Sequence, residues 1–169
     1  GSLFEGAALI GSAGGDINFT MTNDALWKMT DDSSVTKLAL SGGAVVDMSQ
    51  HDAYQQLDVA ELSGRGGEFI MKTDLASETD GDKLYITDAA AGTSQLVQVA
   101  DVSLSSGMVV TGEKKLLLIT DASKNATFVG KKLNEGGLWD VMPTIENGLA
   151  VGGSEEEWYL TKLAKNVNN

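Results

Sequence analysis

The chain has 169 residues, 42% of them hydrophobic, with 24 acidic side chains against 12 basic ones and a net charge of −12. A balance of that sign excludes functions built on many phosphate contacts, nucleic-acid binding first among them, and disfavours anionic membrane surfaces. The lack of cysteine excludes a disulfide framework and a thiolate metal site.

The hydrophobic fraction is enough for a real core in one domain or one run of repeats. Twenty glycines and a single proline describe many short elements joined by turns, so the expected class is all-β. Gly1-Ser2 reads as a cloning scar, and the N-terminus lacks the basic and apolar regions of a secretory signal. No apolar run reaches the length of a bilayer-spanning helix. The pattern is already under way at the first residues, as expected of a fragment whose export signal and membrane anchor lie elsewhere.

Strand-like alternation begins with Ile17, Phe19 and Met21, separated by Asn18 and Thr20. It recurs at Trp27 and Met29, Leu38 and Leu40, Val46 and Met48, Leu57 and Val59, Phe69 and Met71, Leu84 and Ile86, and Val97 and Val99. Glycine pairs at Gly14-Gly15, Gly42-Gly43 and Gly66-Gly67 punctuate these runs at steps of 28 and 24 residues, which suits the coils of a solenoid. Between Trp27 and Met48 three short strands are predicted, joined by polar corners at Thr30-Asp31-Asp32-Ser33-Ser34 and Ser41-Gly42-Gly43.

Helical readings fail on their ends. His51 to Glu61 and Glu155 to Leu163 mix charged and apolar residues, but neither has a pair of caps. The second holds Trp158-Tyr159-Leu160 and reads as strand, and His51 to Tyr54 as a short irregular turn.

From Lys114 the pattern changes. The apolar run Leu116-Leu117-Leu118-Ile119, the turn Asp121 to Asn125 and the run Ala126-Thr127-Phe128-Val129 read as a β-hairpin. Pro143 falls in a loop-rich stretch after it. The expected architecture is therefore a right-handed parallel β-helix over residues 1–113, with capping β strands and hairpins over residues 114–169 in the same unit. Such a cap covers backbone that the end of a solenoid would otherwise expose. The basic pairs Lys114-Lys115 and Lys131-Lys132 are read as solvated strand ends that blunt pairing.

The ordered segments resemble the pertactin-like passenger junction of autotransporters, known as the autochaperone region. They run from Trp27-Lys28-Met29-Thr30 and Leu38-Ala39-Leu40-Ser41-Gly42-Gly43 through Leu57-Asp58-Val59, Gly67-Glu68-Phe69 and Thr73-Asp74-Leu75. Asp82-Lys83-Leu84-Tyr85-Ile86, Leu96-Val97-Gln98-Val99, Ala126-Thr127-Phe128 and Glu157-Trp158-Tyr159-Leu160 follow in the same order. The resemblance covers nearly the whole chain. It departs between Asn134 and Gly153, where Leu138-Trp139-Asp140-Val141 replaces a tyrosine-rich strand.

No catalytic constellation emerges from the residues, because His51 is the lone histidine and a nucleophile needs a positioned base. Ser33, Ser34, Ser63, Ser105 and Ser106 are expected to satisfy local backbone groups. Asp31-Asp32 and Asp80-Gly81-Asp82 are candidate acid pairs for glycoside chemistry, yet both lie at predicted turns, where aspartate is common for backbone reasons. The second also lacks the spaced oxygen ligands of a calcium loop. No cofactor or metal is expected.

The resemblance implies a non-enzymatic segment that directs folding of a surface-exposed β-helix after transit of the periplasm and outer membrane. The residues expected to form its folding-nucleus core are Trp27, Phe69, Leu75, Leu84, Ile86, Phe128, Trp139, Trp158, Tyr159 and Leu160. Its implied partners are the upstream β-helix coils of the same passenger and its own translocating β-barrel downstream. Similarity to actin-motility members of the family implies host actin-regulatory proteins as partners of the full passenger. An adhesin or host-protein-binding segment is the alternative reading.

Overall fold

The computed structural model describes residues 2–10, 15–104, 110–111 and 114–167. The strands follow one another coil by coil. Leu3–Gly6 (β1) and Asn18–Met21 (β2) make the first coil, Leu26–Met29 (β3) and Ser33–Leu40 (β4) the second, and Val45–Asp47 (β5) and Gln56–Ser63 (β6) the third. Arg65–Asp74 (β7), with the short Asp80–Gly81 (β8) beside it, leads to Lys83–Ala89 (β9). Ser94–Asp101 (β10), Val110–Thr111 (β11), Leu116–Asp121 (β12) and Thr127–Gly130 (β13) come next. Leu133–Glu135 (β14), Trp139–Asn147 (β15) and Glu157–Val167 (β16) close the chain.

Two sheets take the successive strands of this series in turn. One stacks β1, β3, β5, β7, β10 and β13, and the other β2, β4, β6, β9 and β12, with every neighbouring pair parallel. A chain that visits two sheets in turn and always runs the same way within each is a parallel β-helix, as predicted. The alternating side chains explain it, because inward residues of successive coils fall on top of one another. Trp27 sits over Val46, Val46 over Phe69 and Phe69 over Val97. Across the core, Phe19, Leu38, Leu62 and Ala89 form a second column, and Leu57, Leu84 and Ile119 a third. Most of these side chains are fully buried, each worth about 1.5–3 kcal/mol by removal from water.

The coils lengthen along the chain, from 19 residues between Leu26 and Val45 to 35 between Leu84 and Ile119. The corner Ser41-Gly42-Gly43 turns as expected, with both glycines at positive φ. Gly14 of the first glycine pair lies outside the described residues, as do Ser105 and Ser106.

Two expectations are corrected. The runs at 116–119 and 126–129 do not form a hairpin: β12 lies parallel to β9 and β13 parallel to β10, in different sheets. Their linking turn is one more solenoid corner, held by Asp121, whose carboxylate accepts the N–H groups of Ser123 and Ala126. Parallel stacking therefore extends to Gly130. Pro143 is not in a loop but within β15, opposite Leu163. It fits because β14 pairs only with Trp139 to Val141, which leaves the Pro143 position of β15 with a strand on one side only.

Candidate functional site: a closed end and an open end

The two ends of the solenoid are built differently. At the C-terminal end, β16 runs antiparallel along β12, setting Leu116 opposite Leu160, Leu117 opposite Tyr159 and Ile119 opposite Trp158. Its other side carries β15, and β14 folds back on β15 through Gly136-Gly137. Leu116, Leu118, Ile119, Val141, Leu160 and Leu163 are all buried in the resulting cap. Trp158 is half-buried against that core and meets Phe128 edge to face at a centroid distance of 5.5 Å.

Tyr159, the next residue, points to the other face, where Lys115 Nζ stands 4.7 Å above its ring. Burial, then the hydrogen bond and charge of Glu157, push the Tyr159 phenol above its ordinary pKa.

At the opposite end, β1 and β2 are the terminal strands of their sheets, and their outer edges have no strand partner among the described residues. Phe4, Phe19 and Trp27 cluster there with centroid distances of 5.0 to 5.8 Å. The Trp27 indole N–H donates to the Gly6 carbonyl at 3.0 Å. Leu3 and Leu9 are 62% and 67% exposed.

The expected nucleus residues do not form a local cluster. Phe69, Leu75, Leu84 and Ile86 are buried in the middle coils, Phe128 and Leu160 at the cap, and Trp27 at the open end. One continuous core joins them. Trp139 stands apart from that core: it is half-buried, its ring 5.3 Å from Lys165 Nζ, and Lys165 reaches the Glu135 carboxylate at 3.4 Å. It opens β15, two residues before Val141, the first fully buried residue of that strand.

The candidate acid pairs serve the backbone. Asp32 accepts the N–H of Gln56 from the next coil at 2.8 Å. Asp82 is fully buried and accepts the N–H groups of Gln55 at 2.7 Å and Lys72 at 2.6 Å, binding two segments together. Burial raises its pKa to about 6, against the opposing pull of those two hydrogen bonds. Among the described residues no three His, Asp or Glu side chains are placed to hold a metal ion. His51 is exposed and accepts the Ala53 N–H.

Ser33 and Ser34 satisfy backbone groups both near and distant: the Ser33 hydroxyl donates to the Asp31 carbonyl at 3.0 Å, and the hydroxyls of Ser33 and Ser34 accept the N–H of Ala8 and of Ile10. The lysine pairs are engaged rather than merely solvated. Lys114 meets Glu78 at 3.4 Å, Lys131 meets the buried Glu68 at 2.8 Å and Lys132 meets Asp140 at 3.5 Å.

Three buried aspartates escape sequence reasoning. Asp47, Asp101 and Asp121 each end a strand and accept both the N–H and the hydroxyl of a serine two residues on, Ser49, Ser103 and Ser123. The recurring Asp-x-Ser spacing was the available signal.

These features fit what the chain resembles. The pertactin family model matches residues 35–162. The immunoglobulin A1 protease autotransporter of Haemophilus influenzae is 33% identical over 133 residues, covering 74% of this chain. The probable autotransporter YcgV of Escherichia coli K12 is 29% identical over 153 residues, covering 83% of it. This chain spans only 8% and 15% of the length of those two proteins. The crystal structure of the Haemophilus influenzae Hap adhesin superposes with a TM-score of 0.63 at 19% identity, over 95% of this chain and 16% of that one. The fold is therefore shared with a solved adhesin, and the sequence with proteins named as autotransporters. The chain belongs to the pertactin family and is part of the passenger region of an autotransporter.

Proposed function

We propose that this segment directs folding of the passenger: its cap forms first, and its open end then templates the coils that precede it. The carrying observation is a contrast in loop length. Glu135 pairs with Trp139 only 4 residues on, and Asn147 with Trp158 across 11, whereas Leu84 reaches Ile119 across 35. Closing 4 residues rather than 35 costs less by about 2 kcal/mol of chain entropy. Low-order contacts also form sooner, and in a repeat array starting the stack is harder than adding to it.

Once the cap stands, β12 is fixed on one side by β16, and its other side accepts β9. Each further coil then gains a ready-made neighbour. In this reading the partners are the upstream coils of the same passenger and the translocating β-barrel downstream, met after passage through the periplasm. Host proteins, actin-regulatory ones included, are partners of the whole passenger. The reading assigns no reaction to the segment.

The test uses the full passenger with and without this segment, scored by surface display and protease resistance. Removal is expected to abolish both, and supplying the segment in trans to restore protease resistance. Normal folding of the truncated passenger would sink the proposal. Host-protein binding by the segment, together with unimpaired folding of the truncated passenger, would turn the assignment to an adhesive surface.

A further inference from the structure

Gln95 is a glutamine with no access to solvent in the interior of an apolar solenoid. It lies where β10 is irregular against β7, between the pairs Ser94–Arg65 and Leu96–Glu68. Its side chain does not face its own coil. The amide nitrogen donates to the Ser63 carbonyl at 3.2 Å and the Gly64 carbonyl at 3.1 Å, one coil back, and to the Leu40 carbonyl at 2.9 Å, two coils back. The amide oxygen accepts the Gly67 N–H at 2.7 Å. One side chain thus holds the corners of two preceding coils.

The surroundings are cleared to admit it. A Cβ on Gly64 would lie 2.2 Å from the Leu40 carbonyl oxygen, and a Cβ on Gly67 2.3 Å from the Leu40 side chain and 2.7 Å from the Gln95 oxygen. Ser41 also bridges to Gly66, and the Gly43 N–H donates to the Gly66 carbonyl. The chain turns from one sheet to the other here, so its peptide groups leave the regular ladders and need partners from elsewhere. A buried carbonyl left without a donor is strongly disfavoured.

We infer that Gln95 is a register-determining residue: it recognises, in the coils that stack on its own, a corner that presents the Leu40 carbonyl over two side-chain-free glycines. A coil docked out of step places a Cβ or an unpaired carbonyl against the amide and is rejected. The inference rests on the C-terminus-first reading for its order of events but not for its geometry. The chemistry recognised is bare main chain, which explains how one side chain can read a neighbour without matching a complementary side chain.

The test compares the 169-residue chain with Gln95→Met, which keeps the length and apolar bulk of the side chain and removes its donors and acceptor. Equilibrium hydrogen exchange is expected to be about ten- to a hundredfold faster across residues 18–47 and unchanged across 139–163. In pulse-labelled refolding the variant is expected to delay protection of 18–47 and of the corner at 63–67, and not of 139–163. Gln95→Leu, branched and shorter, serves as a second variant and is expected to show the same regional pattern. Uniform acceleration over the whole chain, or none in either variant, would overturn the register role. Simultaneous protection of all coils in the unsubstituted chain would instead overturn the C-terminus-first reading, leaving Gln95 to be judged on equilibrium exchange.

Discussion

Phe128 and Trp158 touch edge to face across the core, one at the end of the first sheet and the other where the antiparallel cap begins in the second. Neither neighbours the other in sequence, so their contact reports that the last parallel coil and the cap have docked. Phe128 is almost wholly buried and Trp158 only partly, so the two are not equivalent. Phe128→Ala is expected to cost about 3–5 kcal/mol. Trp158→Ala should cost less than a fully buried indole would. A double-mutant cycle should return a coupling of about 1 kcal/mol. Additive single effects in urea denaturation would show that the rings meet without supporting each other.

The Asp-x-Ser corners give a second expectation. Asp121→Ala strands the N–H groups of Ser123 and Ala126 in a corner with no room for solvent at the carboxylate, at a cost of about 2–4 kcal/mol. Ser123→Ala removes one hydroxyl and leaves the N–H to Asp121 in place, costing about 1 kcal/mol. Equal losses in thermal unfolding would contradict this ranking.

Asp82 makes stability depend on pH in a direction opposite to that of a surface carboxylate. Its folded pKa, about 6, lies above the ordinary 3.8, so between these values the folded chain keeps a proton that the unfolded chain releases. The contribution of this group is full below about pH 4 and is lost as pH rises through about 6, a change of about 3 kcal/mol. Asp82→Asn should flatten that part of the stability profile relative to the unsubstituted chain, whatever its absolute stability. Parallel profiles between pH 4 and 7 would refute the assignment to Asp82.

Glycines at positive φ divide into two kinds. At Gly64, φ is +103° and a Cβ would strike the Leu40 carbonyl, so Gly64→Ala is expected to cost about 3 kcal/mol or more. At Gly136, φ is +60° and nothing lies within 4 Å, so Gly136→Asn should change stability by less than about 1 kcal/mol. Circular dichroism melts of the two variants separate the cases directly.

Sequence reasoning reaches the strands but not their partners. Inward positions such as Trp27, Phe69 and Leu84 declare themselves by alternation, because each strand of a solenoid buries one face whichever coil lies above it. The segments at 116–121 and 127–130 are misread for the same reason: a short turn between two apolar runs looks like a hairpin, and only the distant Leu84 and Val97 reveal separate sheets. Buried polar residues are less legible still. Asp82 and Gln95 have the composition of turns and strand edges, and what buries them is backbone from coils up to 55 residues away. Trp139 shows the converse, an aromatic at the first residue of a strand whose buried positions begin only at Val141.

The antiparallel course of β16 beside β12 also limits how molecules could join. Another copy offering parallel coils finds no matching edge on that side of the second sheet, since β15 and β14 continue it antiparallel. Head-to-tail addition of parallel coils through this sheet is therefore disfavoured at its C-terminal end, where the strand direction no longer matches.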